Sequence, residues 1–270
     1  MIGKLAKRMI RAGLGSVGLE LVRRRAPLEV LDASMEDEYL QLVERCSGFH
    51  DHSSARLYAL YQAIRYVVQH RVPGALVECG VFEGRNPVFM AHALNAMGVT
   101  DRDIYLYDTF EGMTPATDQD RWFDGTPAEE VMRARGLASY GEWCRADLET
   151  VRRNVYATGY PEARFRFVVG PVEETIPTTK PDRIALLRLD TDWYASTYHE
   201  LVHLYPCVPV GGVLILDDYG AWRGAKEATD AYFRETQHPI LLNRIDRTGR
   251  IAVKTEAPTT APTGAGTDGR

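Results

Sequence analysis

The sequence predicts an α/β fold: a doubly wound, mostly parallel sheet with helices on both faces. Three observations predict it. Short apolar runs at 75–79, 104–107, 165–169, 184–189 and 212–216 alternate with stretches of helical periodicity, the pattern of repeated βαβ units. All five of these runs lead directly into glycine or aspartate (Gly80, Asp108, Gly170, Asp190, Asp217), at the strand ends where open sheets bind ligands. With 270 residues the chain is long enough to bury a full-sized core.

Taken in order, residues 35–70 read as helical, with Leu57, Leu60, Ile64 and Val67 on one face at three- and four-residue spacing. Val72-Pro73-Gly74 breaks that pattern ahead of the first strand. A glycine-containing turn then enters a helix over 86–97, and the second strand ends at Asp108. Residues 111–147 are rich in Gly, Pro, Asp and aromatics and too long for an ordinary connection. Trp122, Phe123, Tyr140 and Trp143 favour a folded lid there over a disordered segment, which would be poor in aromatics. Helices are expected at 148–157 and 226–235, and 240–242 with 251–253 as an antiparallel closing pair at the sheet edge.

The domain expected from this pattern spans 35–256. Before it, residues 1–34 combine Lys4, Lys7, Arg8, Arg11 and three arginines at 23–25 with Ile2, Leu5, Met9, Ile10, Leu14, Val17 and Leu21, a basic amphipathic arm. Packing on the body or on a second copy is expected of it, hence a homo-oligomer. Residues 257–270 are Thr, Pro, Gly and Ala with little apolar bulk, a composition expected to be disordered.

The formal charge of -5 argues against a nucleic-acid partner, which requires a concentrated basic surface. No stretch approaches the roughly 20 apolar residues of a membrane span, so no integral membrane association is expected. Cys46, Cys79, Cys144 and Cys207 lack any C-x-x-C spacing, so neither a zinc site nor a disulfide framework is indicated and a cytoplasmic home is expected.

Two acidic stretches carry the chemistry: Leu189-Asp190-Thr191-Asp192 and Leu216-Asp217-Asp218-Tyr219. Carboxylates gathered at one sheet edge repel one another unless a cation neutralises them, and their oxygens suit Mg²⁺, Ca²⁺ or Mn²⁺. The alternative is that Asp217 and Asp218 cap the next helix. Upstream, Glu78-Cys79-Gly80-Val81-Phe82-Glu83-Gly84 is an E-x-G-x-x-x-G turn, with glutamate where a dinucleotide site would carry its first glycine. An acidic side chain there repels a pyrophosphate and attracts an ammonium. With Asp108 placed to accept from both hydroxyls of a ribose, the pair points to a nucleoside carrying an amino acid, S-adenosylmethionine.

These segments resemble a known family. The run from Val72 to Gly84, Asp108-Thr109-Phe110-Glu111-Gly112-Met113, the run from Leu187 to Thr197, and the run from Val210 to Tyr219 together resemble the macrocin O-methyltransferases, class I S-adenosylmethionine-dependent enzymes with a Rossmann-like sheet. The likeness runs from about Arg56 to Phe233. It implies metal-dependent methylation of sugar hydroxyls on antibiotics. It also implies that Glu78, Gly80 and Gly84 hold the methionine end of the cofactor, that Asp108, within the Thr109 and Gly112 block, holds the ribose, and that Gly170 and Glu173 lie beside the adenine. Arg56 belongs to a segment that closes over the cofactor. Asp190, Asp217 and Asp218 match the family's Mg²⁺ ligands, Asp190 also its general base, and Asp192 is left a supporting role. Thr191 and Trp193 replace the usual glycine and leucine, Gly224 a common cysteine, and Asn86-Pro87 small residues.

The reaction expected is an in-line attack of a small-molecule hydroxyl, most readily a sugar hydroxyl, on the sulfonium methyl. Mg²⁺ lowers the pKa of that hydroxyl and Asp190 accepts its proton. His199 and His203 are rival bases, placed in a helical stretch where a structural role is expected. Rival functions are methylation of a catechol-type phenol, an NAD- or nucleotide-sugar-binding protein of the same fold, and a degenerate binding module.

Overall fold

The computed structural model describes residues 35–46, 54–176 and 178–255. The expectations for the arm at 1–34 and the tail at 257–270 lie outside these residues. From Glu36 onward the chain forms one unit. Its secondary structure begins with α1 (Asp37–Arg45) and α2 (Ser54–Gln69), two helices where the sequence reads as one helical span. Leu57, Leu60, Ile64 and Val67 are all buried on α2, as their spacing requires.

The elements that follow are β1 (Ala75–Cys79), α3 (Arg85–Ala96), β2 (Ile104–Asp108), α4 (Ala128–Ala134), α5 (Leu148–Tyr156), β3 (Phe165–Val169), the short α6 (Val172–Thr175), β4 (Ile184–Leu189), α7 (Tyr194–Leu204), β5 (Val213–Leu216), α8 (Arg223–Glu235), β6 (Asn243–Arg244) and β7 (Arg250–Val253). The seven strands lie in the order β3-β2-β1-β4-β5-β7-β6. β1 to β5 are parallel, and β7 pairs antiparallel with both β5 and β6. β1 and β4 are central and the order reverses between them, which opens a crevice at their carboxyl ends.

Every residue of β1, β4 and β5 is buried, as a parallel strand covered on both faces must be. Alternation sorts them. Ala75, Val77, Cys79, Leu187, Leu189, Leu214 and Leu216 pack with Leu201, Leu204 and Tyr232 of α7 and α8. Each such valine or leucine side chain contributes about 2 kcal/mol of burial. Glu78, Arg188 and Asp190 therefore point to the other face, where α2 and α3 lie.

The edge pair differs from expectation in position. β6 is Asn243–Arg244, whereas Ile240 and Leu242 pack against the core beneath α8. Their apolar character reports that packing rather than a strand.

Residues 111–147 are folded, with α4 and a 3₁₀ turn at Tyr140–Glu142 inside them. A satellite core joins this segment to the body: Trp143 of the segment, with Trp193 and Trp222, is at most 4% exposed, and the three pack with Ala128, Met132, Ala221 and Ala225. The indoles of Trp122, Trp143 and Trp193 each meet that of Trp222, at 4.9 to 5.9 Å between ring centres. The guanidinium of Arg135 lies over the Trp143 ring.

Candidate active site

The turn after β1 makes room for the rest. Gly80 has φ 81°, and a β-carbon there would overlap the Asp190 carbonyl oxygen. Gly84, at φ 80°, is the residue from which α3 starts. Between them Val81 and Phe82 turn their amides to the β2 end, donating to Asp108 Oδ2 at 2.6 and 3.0 Å. Phe110 N–H donates to Asp108 Oδ1 at 2.8 Å. Asp108 thus ties two strand-end loops together. Thr109 Oγ1 closes the next turn by donating to the Gly112 carbonyl at 2.5 Å. A β-carbon on Gly112 would overlap Gly141 of the lid.

A cavity of about 420 Å³ opens over these loops, a size that suits a small-molecule ligand. Gly80, Asp108, Thr109, Gly112, Gly170, Glu173, Arg56, Asp190, Asp217 and Asp218 all line it, so most of the sequence-predicted site residues are brought together. Gly84 does not line it, and neither does Glu78. Glu78 is wholly buried on the face covered by α3, where its Oε1 accepts from Asn86 Nδ2 at 2.7 Å and from Arg188 at 2.5 Å. Its Oε2 has no partner among the described residues, and burial pushes the carboxyl up to about 8 against the opposing pull of Arg188. Glu78 thus stands directly behind Asn86, which does line the cavity. Asn86, one of the sequence's departures from the family, occurs where Glu78 needs a donor.

The acids of the two stretches fall into two groups. Oxygens of Asp190, Asp192 and Asp218 lie within 4.8 Å of one another, and Asp218 Oδ2 is buried without a partner among the described residues. Asp217 instead bonds the guanidiniums of Arg56 and Arg188. Register explains the division. Arg188 pairs across β1–β4 with Glu78, and Leu189 pairs with Leu216. Asp190 and Asp217 therefore continue side by side on the Arg188 face, and Arg188 also reaches Asp190 at 2.7 Å. Asp192 joins the cluster because the chain turns back on itself: its φ is 66°, and Trp193 N–H donates to the Thr191 carbonyl at 2.7 Å. Burial and the neighbouring carboxylates push Asp192 up to about 7 and Asp218 well above the usual range. Three convergent carboxylates, two of them with raised proton affinity, and an unpartnered buried oxygen fit a divalent cation.

Arg56, besides Asp217, donates to Asp246 at 2.9 Å and to Thr248, tying α2 to the β6–β7 loop beside the cluster. Glu173 accepts from Ser196 Oγ at 2.8 Å. Glu200, wholly buried on α7, accepts from Thr191 Oγ1 at 3.1 Å. His199 and His203 lie against each other, 4.3 Å between ring centres, and do not line the cavity.

Sequence reading missed Arg188, whose signal was a lone cation in an apolar strand, and the gathering of Asp192, which depends on a turn. It also missed the wall: Trp122, Trp143, Trp193 and Trp222, all four tryptophans of the chain, line the cavity. The lid is pinned at Asp120, which is 1% exposed, accepts from Thr117 at 2.7 Å and accepts from Tyr194 N–H, at the start of α7, at 2.8 Å. A β-carbon at Gly224 would overlap that carboxylate, which accounts for glycine there.

Comparison with known proteins gives one consistent result. The Macrocin-O-methyltransferase (TylF) family matches residues 48–253. The chain is 35% identical over 194 residues to demethyldecarbamoylnovobiocin O-methyltransferase of Streptomyces niveus, covering 72% of this chain and 71% of that protein. It is 34% identical over 194 residues to 8-demethyl-8-(2,3-dimethoxy-alpha-L-rhamnosyl)-tetracenomycin-C 4'-O-methyltransferase of Streptomyces olivaceus, with the same coverage. The solved structure of the O-methyltransferase NovP is similar with a TM-score of 0.66 at 32% identity, covering 75% of this chain and 81% of that one.

Proposed function

Since the chain belongs to the macrocin O-methyltransferase family and is an S-adenosylmethionine-dependent O-methyltransferase, we propose that it methylates a sugar hydroxyl of a glycosylated natural product, with Mg²⁺ at the acid cluster. The observation that carries this reading is the convergence of Asp190, Asp192 and Asp218 on one wall of the cavity, with Asp218 Oδ2 left unpartnered. A relative named for a rhamnosyl tetracenomycin supports the sugar.

The cofactor lies along the glycine turn. Gly80 lets the backbone approach its methionine end. Asp108 keeps lone pairs for ribose hydroxyls beyond its three amide bonds, because a carboxylate accepts about four hydrogen bonds. Gly170 and Glu173 flank the adenine end, and Glu78 acts from beneath through Asn86 and Arg188.

Asp190 and Asp218 are the cation ligands on which residue pattern and geometry agree, and Asp192 is the third carboxylate of the group. Bound there, Mg²⁺ supplies positive charge that offsets the carboxylates and lowers the pKa of a nearby hydroxyl. Arg188 holds Asp190 Oδ2, which leaves the other oxygen free to face the cavity. That oxygen of Asp190 is the one placed to receive the hydroxyl proton, provided the acceptor comes within hydrogen-bond reach. The packed lid excludes water from the site and orients the acceptor.

The tryptophan wall favours a second reading, a catechol-type phenol stacked on indole. Methyl transfer from labelled S-adenosylmethionine to a rhamnosyl glycoside and to a catechol, each with EDTA and then with excess Mg²⁺, separates the readings. Glycoside methylation that stops with EDTA and returns with Mg²⁺ is expected. Transfer to catechol alone would replace the sugar reading, and transfer indifferent to EDTA would remove the metal.

A further inference from the structure

We propose that Thr191 and Glu200 form a latch that holds the acid turn at 190–192 in its left-handed conformation and so positions Asp190 and Asp192. The inference rests on the reading of the acid cluster as a cation site. Asp192 has φ 66°, a region that aspartate enters more readily than most side chains but that remains uncommon outside glycine. The Trp193 N–H to Thr191 carbonyl bond closes a three-residue turn around it, and with positive φ at the centre that turn is the strained form. A strained turn persists when its surroundings over-determine it. Two contacts do so here. On the lid side Trp193 Nε1 donates to the Thr114 carbonyl at 2.9 Å. On the core side Thr191 Oγ1 donates to Glu200 Oε2 at 3.1 Å.

Glu200 calls for an explanation independently of the turn. It is wholly buried on α7, next in sequence to the core residue Leu201 and under strands contributing Cys79, Leu187 and Leu189. It has no cationic partner among the described residues, and its Oε1 has no hydrogen-bond partner there. A carboxyl in such a place is costly unless it does something an apolar side chain cannot. It does not line the cavity, so it is neither a cation ligand nor a base. What it does touch is the buried Cys79 thiol and the hydroxyl of the residue between two cluster aspartates. Burial pushes its carboxyl well above the usual carboxylate range. Thr191 is itself a departure from the glycine usual in this motif, and the hydroxyl it brings is the one Glu200 accepts from. Glu200 is thus a positioning residue acting through Thr191.

The test uses Thr191→Val, Glu200→Ala, Glu200→Gln and the Thr191→Val/Glu200→Ala double variant of the full chain. Amide exchange at Trp193 is followed without divalent ions, and MgCl₂ and S-adenosylhomocysteine are each titrated by calorimetry. Thr191→Val and Glu200→Ala should each exchange the Trp193 amide about tenfold faster and bind Mg²⁺ about tenfold more weakly, the scale of one lost buried hydrogen bond. S-adenosylhomocysteine affinity should hold within about twofold, the double variant should be no worse than the weaker single, and Glu200→Gln, which keeps an acceptor, should resemble the wild type. Unchanged Trp193 exchange in a folded Thr191→Val variant overturns the latch. So does a parallel fall in Mg²⁺ and S-adenosylhomocysteine affinity, the mark of general loosening. Thr191→Val removes a single hydroxyl, so it decides the matter even where Glu200→Ala does not fold. A wild-type chain without Mg²⁺ heat defeats the cation reading, and Trp193 exchange still decides the latch.

Discussion

At position 80 the absence of a side chain is what lets two strand ends meet. Gly80 combines positive φ with backbone contact to Asp190, so Gly80→Ala meets both conformational strain and a clash. The variant should lose more than about 2 kcal/mol of stability in urea unfolding, together with S-adenosylhomocysteine binding. A variant as stable as the wild type would mean that the turn can relax away from Asp190. The acid cluster makes a sharper prediction, because its members are unequal. Asp190→Asn and Asp218→Asn should each weaken Mg²⁺ binding by about two orders of magnitude, the cost of leaving buried carboxylates without their counter-ion. Asp217→Asn should weaken it less, since Arg56 and Arg188 already balance that carboxylate. Equal losses by calorimetry would return Asp217 to the ligand set that the family resemblance implies.

The element that distinguishes this molecule is the insertion between β2 and α5. It is held by polar pins as well as by indoles. Asp120 bonds both its own loop and the first amide of α7, while Arg223 N–H, at the start of α8, donates to the Arg121 carbonyl at 2.7 Å. Asp120→Ala strips a buried acceptor from both N–H groups. It should cost about 1–3 kcal/mol in thermal or urea unfolding and open the 111–147 segment to limited proteolysis. Unchanged cleavage would show that the aromatic packing alone holds the lid. Gly224 belongs to the same device: a larger residue there would displace Asp120, so Gly224→Cys should loosen the lid in the same assay.

Across the whole molecule, the net effect of the buried acids is a dependence of stability on pH. Glu78, raised to about 8, Asp192, raised to about 7, and Asp218 all bind protons more tightly folded than unfolded. Their contribution is fully present below the unfolded carboxylate value of about 4 and is lost as pH rises towards about 8. With divalent ions removed, Tm should therefore fall between about pH 5 and pH 8, and Mg²⁺ should raise it more at the upper end. A Tm that rises over this range would reverse the sign of the cluster's contribution.

The strands and their order of use were legible in the sequence because buried parallel strands are continuous apolar runs, and because Gly80, Asp108, Asp190 and Asp217 stand directly at or after their ends. The helical face of α2 was legible from spacing alone. The lid was legible as a folded segment from its aromatics, whereas the place of β6 was not, since it depends on what Ile240 and Leu242 pack against. By itself the sequence determined the sheet, the strand-end location of the site and its supply of carboxylates, all of which follow from local periodicity and chain order. Which carboxylates meet was decided by tertiary structure alone. That choice depends on the register of Glu78 beside Arg188, on the reach of Arg56 to Asp217 from α2, and on the left-handed turn at Asp192, none of which is a property of neighbouring residues.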